Sequence, residues 1–411
     1  MAPHFLSARQ AADTLGVTPA TLYAYTSRGQ LRSEPMPDRP RERRYHREDV
    51  ERLRERKETR RDPAKAAARG LRWGGPVLDS GLTLIHDGTV HYRGQNAIAL
   101  AETATLEDAA ALLWDVGDGE RRTLFRQRAV LSTRQLARLR WSAKDPLTMV
   151  QAALPIAAAA DLAAYDLRPP AVRQAGARIL RLLANIVAPG HDRDAMHLAL
   201  QRAWAPRRTG VADVIRTALV LCADHELNVS AFTARCAASA GASPYDVVAA
   251  ALAAFKGFKH GGTSEHVLTL LDEIDTPRAA RASVGRRLRR GEHAPGFGHP
   301  LYPAGDPRAT ALLRLAEASG NTVEWRRIRA LQTAAADLLG DQPNLDFGLA
   351  AVTRTYRLPR QAPILLFALG RTVGWIAHAM EEYASGALIR PRARYTGPLP
   401  APASSSAASP T

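Results

Sequence analysis

Apolar positions recur with a helical period at 147–165, 170–188, 211–223, 228–240, 244–256, 309–318 and 361–384, so these segments are expected to be helices that bury one face. Thr105-Leu-Glu-Asp108 supplies a helix start ahead of a further apolar run, Ala109–Trp114. Alternation replaces this period around residues 82–93. Leu82–His86 and Thr89–Arg93 flank Asp87-Gly88, a pair suited to a type I′ turn, and a β-hairpin is predicted there. No internal repeat is visible. The last stretch, PLPAPASSSAASPT, is low-complexity Pro, Ala and Ser, and is predicted to be a disordered tail over 398–411.

The N-terminal segment has a different grain. Ser7-Ala-Arg-Gln10 is a capping-box signal for a helix from about Ala8 to Leu15, which Gly16 ends. Thr18-Pro19 then restarts a helix, with a capping hydroxyl followed by a proline at the first helical position, and Gly29 stops it after about Arg28. Two short helices joined by a glycine turn make a helix-turn-helix, with Thr21, Ala24, Ser27 and Arg28 expected on the outer side of the second helix. The following residues predict a two-stranded wing and then a charged helix.

Composition narrows the class. At 411 residues and 46% hydrophobic, the chain can bury more than one core, which excludes a peptide, a disulfide miniprotein and a disordered regulator. Two cysteines, Cys222 and Cys236, are too few for a disulfide framework or a Cys-rich metal or iron-sulfur site, so a reducing compartment is expected. The longest uncharged apolar run, Met149–Ala160, falls short of the roughly 18 residues a membrane span requires. With no secretory signal in MAPHFLSARQAAD, the expectation is a soluble cytoplasmic protein without membrane contact. The net charge is +16, and residues 1–69 hold 16 Lys and Arg against 10 Asp and Glu, the denser basic region, as nucleic-acid contact requires.

The AAxxLGVTPATLYAY pattern of residues 11–25, Arg43-Arg44-Tyr45 and Asp49-Val50 resemble a MerR-type winged helix-turn-helix domain over about residues 5–59. This resemblance implies DNA as a partner, with a partner protein as the alternative. Thr21, Ser27, Arg28, Arg43 and Arg44 are the DNA-binding candidates. Arg32, Arg41 and Arg47 join the arginines as phosphate contacts, and base edges fall to residues 19–28.

Three histidine segments stand at predicted helix ends: Ala223-Asp-His225-Glu-Leu-Asn228, Lys259-His260-Gly-Gly-Thr263 and Gly296-Phe-Gly-His299-Pro300. Asn344-Leu-Asp346-Phe347 adds a carboxylate. No HxH or HxxxH pair lies on one helical face, so no metal site is expected. Taken in order, LTLIHDGTVHYRGQNAIALAE, ADHELNVSAFTARCAAS, KHGGTSEHVL, GFGHPLYPAGDPRA, NLDF, GRTVGWIAHAMEEY and LIRPRARYTGP resemble citrate synthase, over about Pro76–Pro398.

The resemblance implies a mainly α fold, a two-domain citrate synthase-like helical body preceded by the small winged helix-turn-helix domain. It implies condensation of acetyl-CoA with oxaloacetate and water, of Si type, as in the tricarboxylic acid cycle. Asp346 is the implied base, His260 stabilises the enol and His299 polarises the oxaloacetate carbonyl. His225, Arg308, Arg371 and Arg390 are implied oxaloacetate contacts, with Arg390 reaching across a homodimer. The chemistry agrees: a thioester methyl is a weak acid, so its enolate requires a base and a positioned donor, and carboxylates suit guanidinium forks. Arg392 and Arg394 are expected at the surface, and Trp375 in helix packing. Acetyl-CoA is a substrate, and no tightly bound cofactor is implied.

The implied boundaries are 1–61 for the head, 62–76 for a linker, 77–261 with 358–397 for a large domain and 262–357 for a small one. Beyond His299 the chain has Pro300-Leu-Tyr-Pro303 where basic residues are usual, Gly348-Leu349 follow Phe347, and Lys259 precedes His260. The run Arg286-Arg-Leu-Arg-Arg290 is a candidate for the missing charge toward the coenzyme. Two further readings stay open. One is a weak or inactive ligand sensor that regulates transcription, and the other is a 2-methylcitrate synthase that uses propionyl-CoA.

Overall fold

In a computed structural model of the chain, residues 5–36, 39–47, 49–51, 53–54, 78–142, 145–191, 194–208 and 210–398 are described. The expected linker at 62–76 lies outside them, as does the tail except for Pro398. The chain divides into two compact units, Met1–Asp79 and Ser80–Thr411.

The first unit contains the two predicted helices, Ala8–Leu15 and Pro19–Ser27. Ser7 and Gln10 close both halves of the capping box, and Thr18 caps the second helix through the amide of Thr21. The wing strands Ser33–Met36 and Arg39–His46 pair antiparallel, and Phe5–Ser7 adds a third strand on the other side of Arg39–His46. That third strand is too short for an alternating pattern to announce it. Leu6, Leu15, Leu22, Leu31, Tyr45 and Val50 form this unit's core. The charged helix expected after the wing falls largely outside the described residues.

The second unit opens with the predicted hairpin, Thr83–His86 against Thr89–Tyr92, with Asp87 (φ 48°) and Gly88 (φ 71°) at its type I′ turn. A short strand, Gln95–Asn96, extends it. Thr105 and Asp108 form their capping box at the head of Leu106–Leu113. The apolar periods become Pro146–Ala160, Pro169–Val187, Val211–Leu221, Val229–Ser239, Pro244–Phe255, Pro307–Ala318 and Ala362–Ser385. The 147–165 segment breaks after Ala160 and continues as a 3-10 turn, Leu162–Tyr165, because Asp161 accepts from Arg178 and Tyr245 instead of facing solvent.

Ala362–Ser385 is the spine of this unit. By length and composition alone it passes as a membrane span, a candidate that counting uncharged runs overlooked because Arg371 interrupts it. In the fold it is a core helix with 89% of its most apolar window buried, packed against Val229–Ser239, Pro244–Phe255, Val211–Leu221 and Pro169–Val187. The lack of side chains at Gly370 and Gly374 permits the closest of these approaches. A Cβ on Gly370 would stand 2.7 Å from Cys222 Cβ, and one on Gly374 would collide with the Asp224 carboxylate and the Ala223 carbonyl. The Gly374 amide instead donates to Ala223 O at 3.0 Å, so the loop after Val211–Leu221 is fastened directly to the spine.

Residues 263–355 add the helices Thr263–Asp272, Pro277–Arg289, Pro307–Ala318, Thr322–Leu339 and Leu345–Thr355. Pro307–Ala318 and Leu345–Thr355 lie close: a Cβ on Gly348 would stand 3.1 Å from Ala309 Cα. Their N-termini are therefore neighbours.

Candidate active site

Each of the three histidine segments forms a loop, and the packing just described brings the loops together. His225 follows the loop residue Asp224, whose Oδ2 accepts from Thr83 Oγ1 at 2.6 Å and whose other oxygen faces His378 Nε2 at 3.3 Å. Burial pushes the Asp224 carboxyl up, but His378, Arg371 and Thr83 outweigh it and hold it below the usual range. His299 lies on a segment that Gly296 and Gly298 turn with φ of 87° and 76°, a region that β-carbons resist. Gly298 N donates to Gln342 O at 2.8 Å and Asn344 N to Gly296 O at 2.9 Å, which ties this loop to the start of Leu345–Thr355. Asn344 caps that helix through the amides of Asp346 and Phe347, so Asp346 and His299 are held by one hydrogen-bonded junction.

The rings converge in two groups. His225, His299 and Tyr302 are mutual neighbours at centroid separations of 5.0–5.6 Å. His225 Nε2 stands 2.8 Å from the Tyr302 hydroxyl. His260 packs edge-on to Phe255 at 5.2 Å and Phe367 at 5.8 Å. Gly261 has to be glycine here, because a Cβ would enter the Phe255 ring.

The electrostatics sort these groups by role. Burial, with Arg371 adding to it, pulls His260 down to about 4; burial and Arg308 pull His299 down to about 4. Burial and the surrounding cations hold His225 well below the usual range. All three imidazoles are neutral at pH 7, one N–H each. His299 Nδ1 accepts from Leu301 N at 3.2 Å, so its proton sits on Nε2 and that nitrogen is a donor. His260 Nε2 lies 2.8 Å from Ser230 Oγ, which also takes the Trp375 indole N–H at 3.1 Å and stands 2.8 Å from Asn228 Oδ1. The indole only donates and Asn228 Oδ1 only accepts. The Ser230 proton therefore points to Asn228 or to His260, and the second choice puts the ring's own proton on Nδ1. Trp375, expected only in packing, is fully buried and also fixes this serine.

Asp346 is half-buried and accepts from Ser264 Oγ at 2.5 Å. Burial pushes its carboxyl up to about 6, against the pull of Ser264, Arg308 and Arg371. A carboxylate of that basicity is still ionised at neutral pH and is a stronger base than an ordinary one.

Two guanidinium groups are fully sequestered. Arg308 is 2% exposed and forks onto Asp306 at 3.0 and 2.8 Å, and Asp306 also accepts from Leu345 N at 3.1 Å. Arg371 is 1% exposed, donates through Nε to Cys222 O at 2.8 Å and leaves its buried Nη2 without a hydrogen-bond partner. Asp224 offsets part of the Arg371 charge, but a buried guanidinium N–H left unpaired costs about 1–3 kcal/mol unless a ligand oxygen completes it. The arrangement is thus built for a carboxylate-bearing ligand, with a base at about 6 and neutral donors around it.

Arg390 is not brought into this cluster within one chain; it is exposed in the 386–398 segment, which carries no regular structure. Ser230, Ser264, Tyr302 and Asp306 are site residues that the sequence reading missed. Ser264 and Asp306 stood inside HGGTSE and GDPRA and were legible by adjacency, whereas Ser230 and Tyr302 act only through contacts the fold makes. The Arg286–Arg290 run is largely engaged elsewhere: Arg287 bonds Glu273, Arg286 lies 3.9 Å from Glu273 and Arg290 pairs with Glu292. A surface cleft of about 500 Å³ lined by Leu268, Arg354 and Arg360 shows no comparable convergence, since both arginines already pair with Asp272. Among the described residues no group of three or more His, Cys, Asp or Glu is disposed to hold a metal ion.

In the first unit the outward face of Pro19–Ser27 runs through Ala20, Tyr23 and Ser27, with Tyr23 54% exposed. Ser27 and Arg28 are exposed as expected, but Thr21 is partly buried and hydrogen-bonded to Thr18 Oγ1 at 3.0 Å. Tyr23, not anticipated, occupies the centre of that face. Arg43 bonds Ser33, Arg44 pairs with Glu34 and stacks 4.0 Å over Phe5, and Arg32 forks onto the buried Asp49. Arg32 is thereby a structural residue of the wing. Arg47 pairs with Glu51, and the Arg41 side chain lies outside the described residues.

Comparison with known proteins agrees with this geometry. Residues 70–392 match the model of the citrate synthase C-terminal domain, and residues 5–58 match a helix-turn-helix domain. Citrate synthase 2 of Bacillus subtilis is 29% identical over 360 residues, 81% of this chain and 96% of that protein. The 2-methylcitrate synthase of Mycobacterium tuberculosis is 31% identical over 337 residues, 74% of this chain and 84% of that protein. Among solved structures, the citrate synthase of Thermoplasma acidophilum in ternary complex with carboxymethyl coenzyme A and oxaloacetate superposes with a TM-score of 0.71. That pair is 26% identical and covers 82% of this chain and 97% of the other. On sequence and fold alike, the chain belongs to the citrate synthase family and carries a helix-turn-helix domain ahead of the enzyme body.

Proposed function

We propose that the body condenses acetyl-CoA with oxaloacetate to citrate. The observation that carries this reading is the pairing of buried Arg308 and partnerless Arg371 Nη2 with a carboxylate raised to about 6 and three neutral imidazoles. The guanidinium groups hold the oxaloacetate carboxylates, and His225 and the Nε2–H of His299 meet its other polar atoms, with His299 polarising the carbonyl. Asp346 removes a methyl proton from the thioester. The enolate oxygen takes a hydrogen bond from His260 Nδ1–H, in the tautomer whose bare Nε2 accepts from Ser230. The enolate carbon then attacks the polarised carbonyl, and water hydrolyses the thioester to release CoA.

Residues 262–357, which carry His299 and Asp346, act as a small domain that closes over oxaloacetate and excludes water before the enolate forms. The protein works as a cytoplasmic homodimer in which Arg390 completes the neighbouring site, and its head binds DNA through Tyr23, Ser27 and Arg28. The similarity to a 2-methylcitrate synthase favours a second reading, in which propionyl-CoA is the thioester. One methylene separates the two acyl groups, worth only about 1–3 kcal/mol in an apolar pocket.

The test is CoA release by the purified protein given oxaloacetate with acetyl-CoA or propionyl-CoA, with Asp346→Ala as control. Turnover that the variant loses supports the enzyme and ranks its thioesters. A folded protein with no turnover on either thioester overturns it in favour of a ligand-sensing role.

A further inference from the structure

Tyr302 stands among groups already given to oxaloacetate, yet neither the family comparison nor the reaction as derived assigns it any part. It is 3% exposed, its hydroxyl is 2.8 Å from His225 Nε2, and its ring lies 5.0 Å from His299 and 5.5 Å from the Arg308 guanidinium carbon. Three groups that converge on one substrate therefore share a single contact.

His225 explains why such a contact is required. Burial first, and Arg308 and Arg371 after it, keep the ring neutral, so it has one N–H and one lone pair to place. The neutral ring has two tautomers and two flips, and only one combination offers the correct atom to a substrate oxygen. The Tyr302 hydroxyl is the hydrogen-bonding group the structure sets against Nε2. The phenol itself stays protonated throughout the ordinary pH range, since burial raises it. It is consequently a permanent partner for the ring, unlike an acid or base that titrates.

We propose that Tyr302 is a positioning residue for the 2-oxo dicarboxylate: by engaging His225 Nε2 and packing among His299 and Arg308, it fixes the ring orientation in which His225 meets oxaloacetate. This rests on the citrate synthase reading of the site. It makes the effect of Tyr302 specific to the first substrate, because Asp346 and His260, which handle the thioester, do not touch it.

The test uses the full-length protein and oxaloacetate. In Tyr302→Phe, which keeps the ring and removes the hydroxyl, the dissociation constant and KM for oxaloacetate rise about three- to tenfold, the range for one neutral hydrogen bond. The KM for acyl-CoA and kcat change less than twofold. In a His225→Ala background, Tyr302→Phe has no further effect, because it acts through the ring. The imidazole ¹⁵N shifts of His225 also change in Tyr302→Phe without substrate. Unchanged oxaloacetate affinity, unchanged ¹⁵N shifts or additive effects in the double variant each overturn the inference. If the wild type neither binds nor turns over oxaloacetate, the citrate synthase reading fails and this inference with it. A wild type that binds oxaloacetate while Tyr302→Phe behaves identically refutes only the role of Tyr302.

Discussion

The rise of the Asp346 carboxyl from an ordinary 3.8 to about 6 carries a cost that a single substitution exposes. A tenfold change in acid strength is worth about 1.4 kcal/mol, so keeping Asp346 ionised in the folded protein costs roughly 3 kcal/mol relative to the unfolded chain. Because the folded value is the higher one, the sign is definite. The cost is absent below about pH 4, grows as pH rises through 4 to 6, and is fully present above that. Asp346→Asn removes the charge, keeps the shape and leaves an amide oxygen for Ser264 to donate to. It is therefore expected to stabilise the protein by up to about 3 kcal/mol at pH 7.5 and by nearly nothing at pH 4. The same change removes the proposed base and should lower turnover by roughly 10²- to 10⁴-fold. Thermal unfolding of both proteins across this pH range, beside CoA release at pH 7.5, measures the two effects together. A variant less stable than wild type at pH 7.5, or a gain that does not vanish toward pH 4, refutes the burial argument. An undiminished rate refutes the assignment of the base.

Removing the Ser264 hydroxyl takes away the group that most lowers Asp346, so in Ser264→Ala the acid limb of kcat/KM should move up by about one to two pH units. An unmoved limb refutes that pairing. The imidazole resonances of His260 and His299 should report neutral rings from pH 8 down to about 5, and protonation near pH 6.5 would contradict their burial. Gly374→Ala forces a methyl against the Asp224 carboxylate and the Ala223 carbonyl, and should destabilise the body by about 1–3 kcal/mol while raising the KM for oxaloacetate through His225. Wild-type unfolding midpoints and kinetics would show that the spine tolerates displacement. In the head, Arg32→Ala removes both guanidinium bonds to the buried Asp49, and should open the wing to proteolysis in the full-length chain. Salt-sensitive retention of a DNA fragment should weaken in Tyr23→Ala, and equal retention would remove that face from contact.

Local physics made a large part of this protein readable from residues alone. The Ser7–Gln10 and Thr105–Asp108 capping boxes, the Asp87-Gly88 hairpin and the long apolar periods each form within a few residues, and each element lies close to where its sequence predicts it. Helices left unannounced lack a clean one-sided apolar period: Leu345–Thr355 is buried almost all round, and others have only a thin stripe. Pro277–Arg289 buries only Ala280, Ser283 and Val284 beneath a surface of arginines, and its helix is decided by packing against Thr322–Leu339. Ordered motifs likewise marked His225, His260, His299, Asp346, Arg308 and Arg371 as candidates before any contact was known.

Only the tertiary structure decided what these residues are chemically. Acidity depends on burial and on charges far away in the chain, so neither the neutral His225 and His299 nor the carboxylate near 6 has a local signature. The approach of residues 219–224 to Gly370 and Gly374 sets Asp224, and with it His225, against the spine that carries Arg371. Ser230 and Tyr302, ordinary polar residues in sequence, become the partners of His260 and His225 because helices and loops distant in the chain meet there. Hydrophobic period and capping act over one or two helical turns, while tautomer, orientation and proton affinity are set by neighbours that only the folded chain supplies.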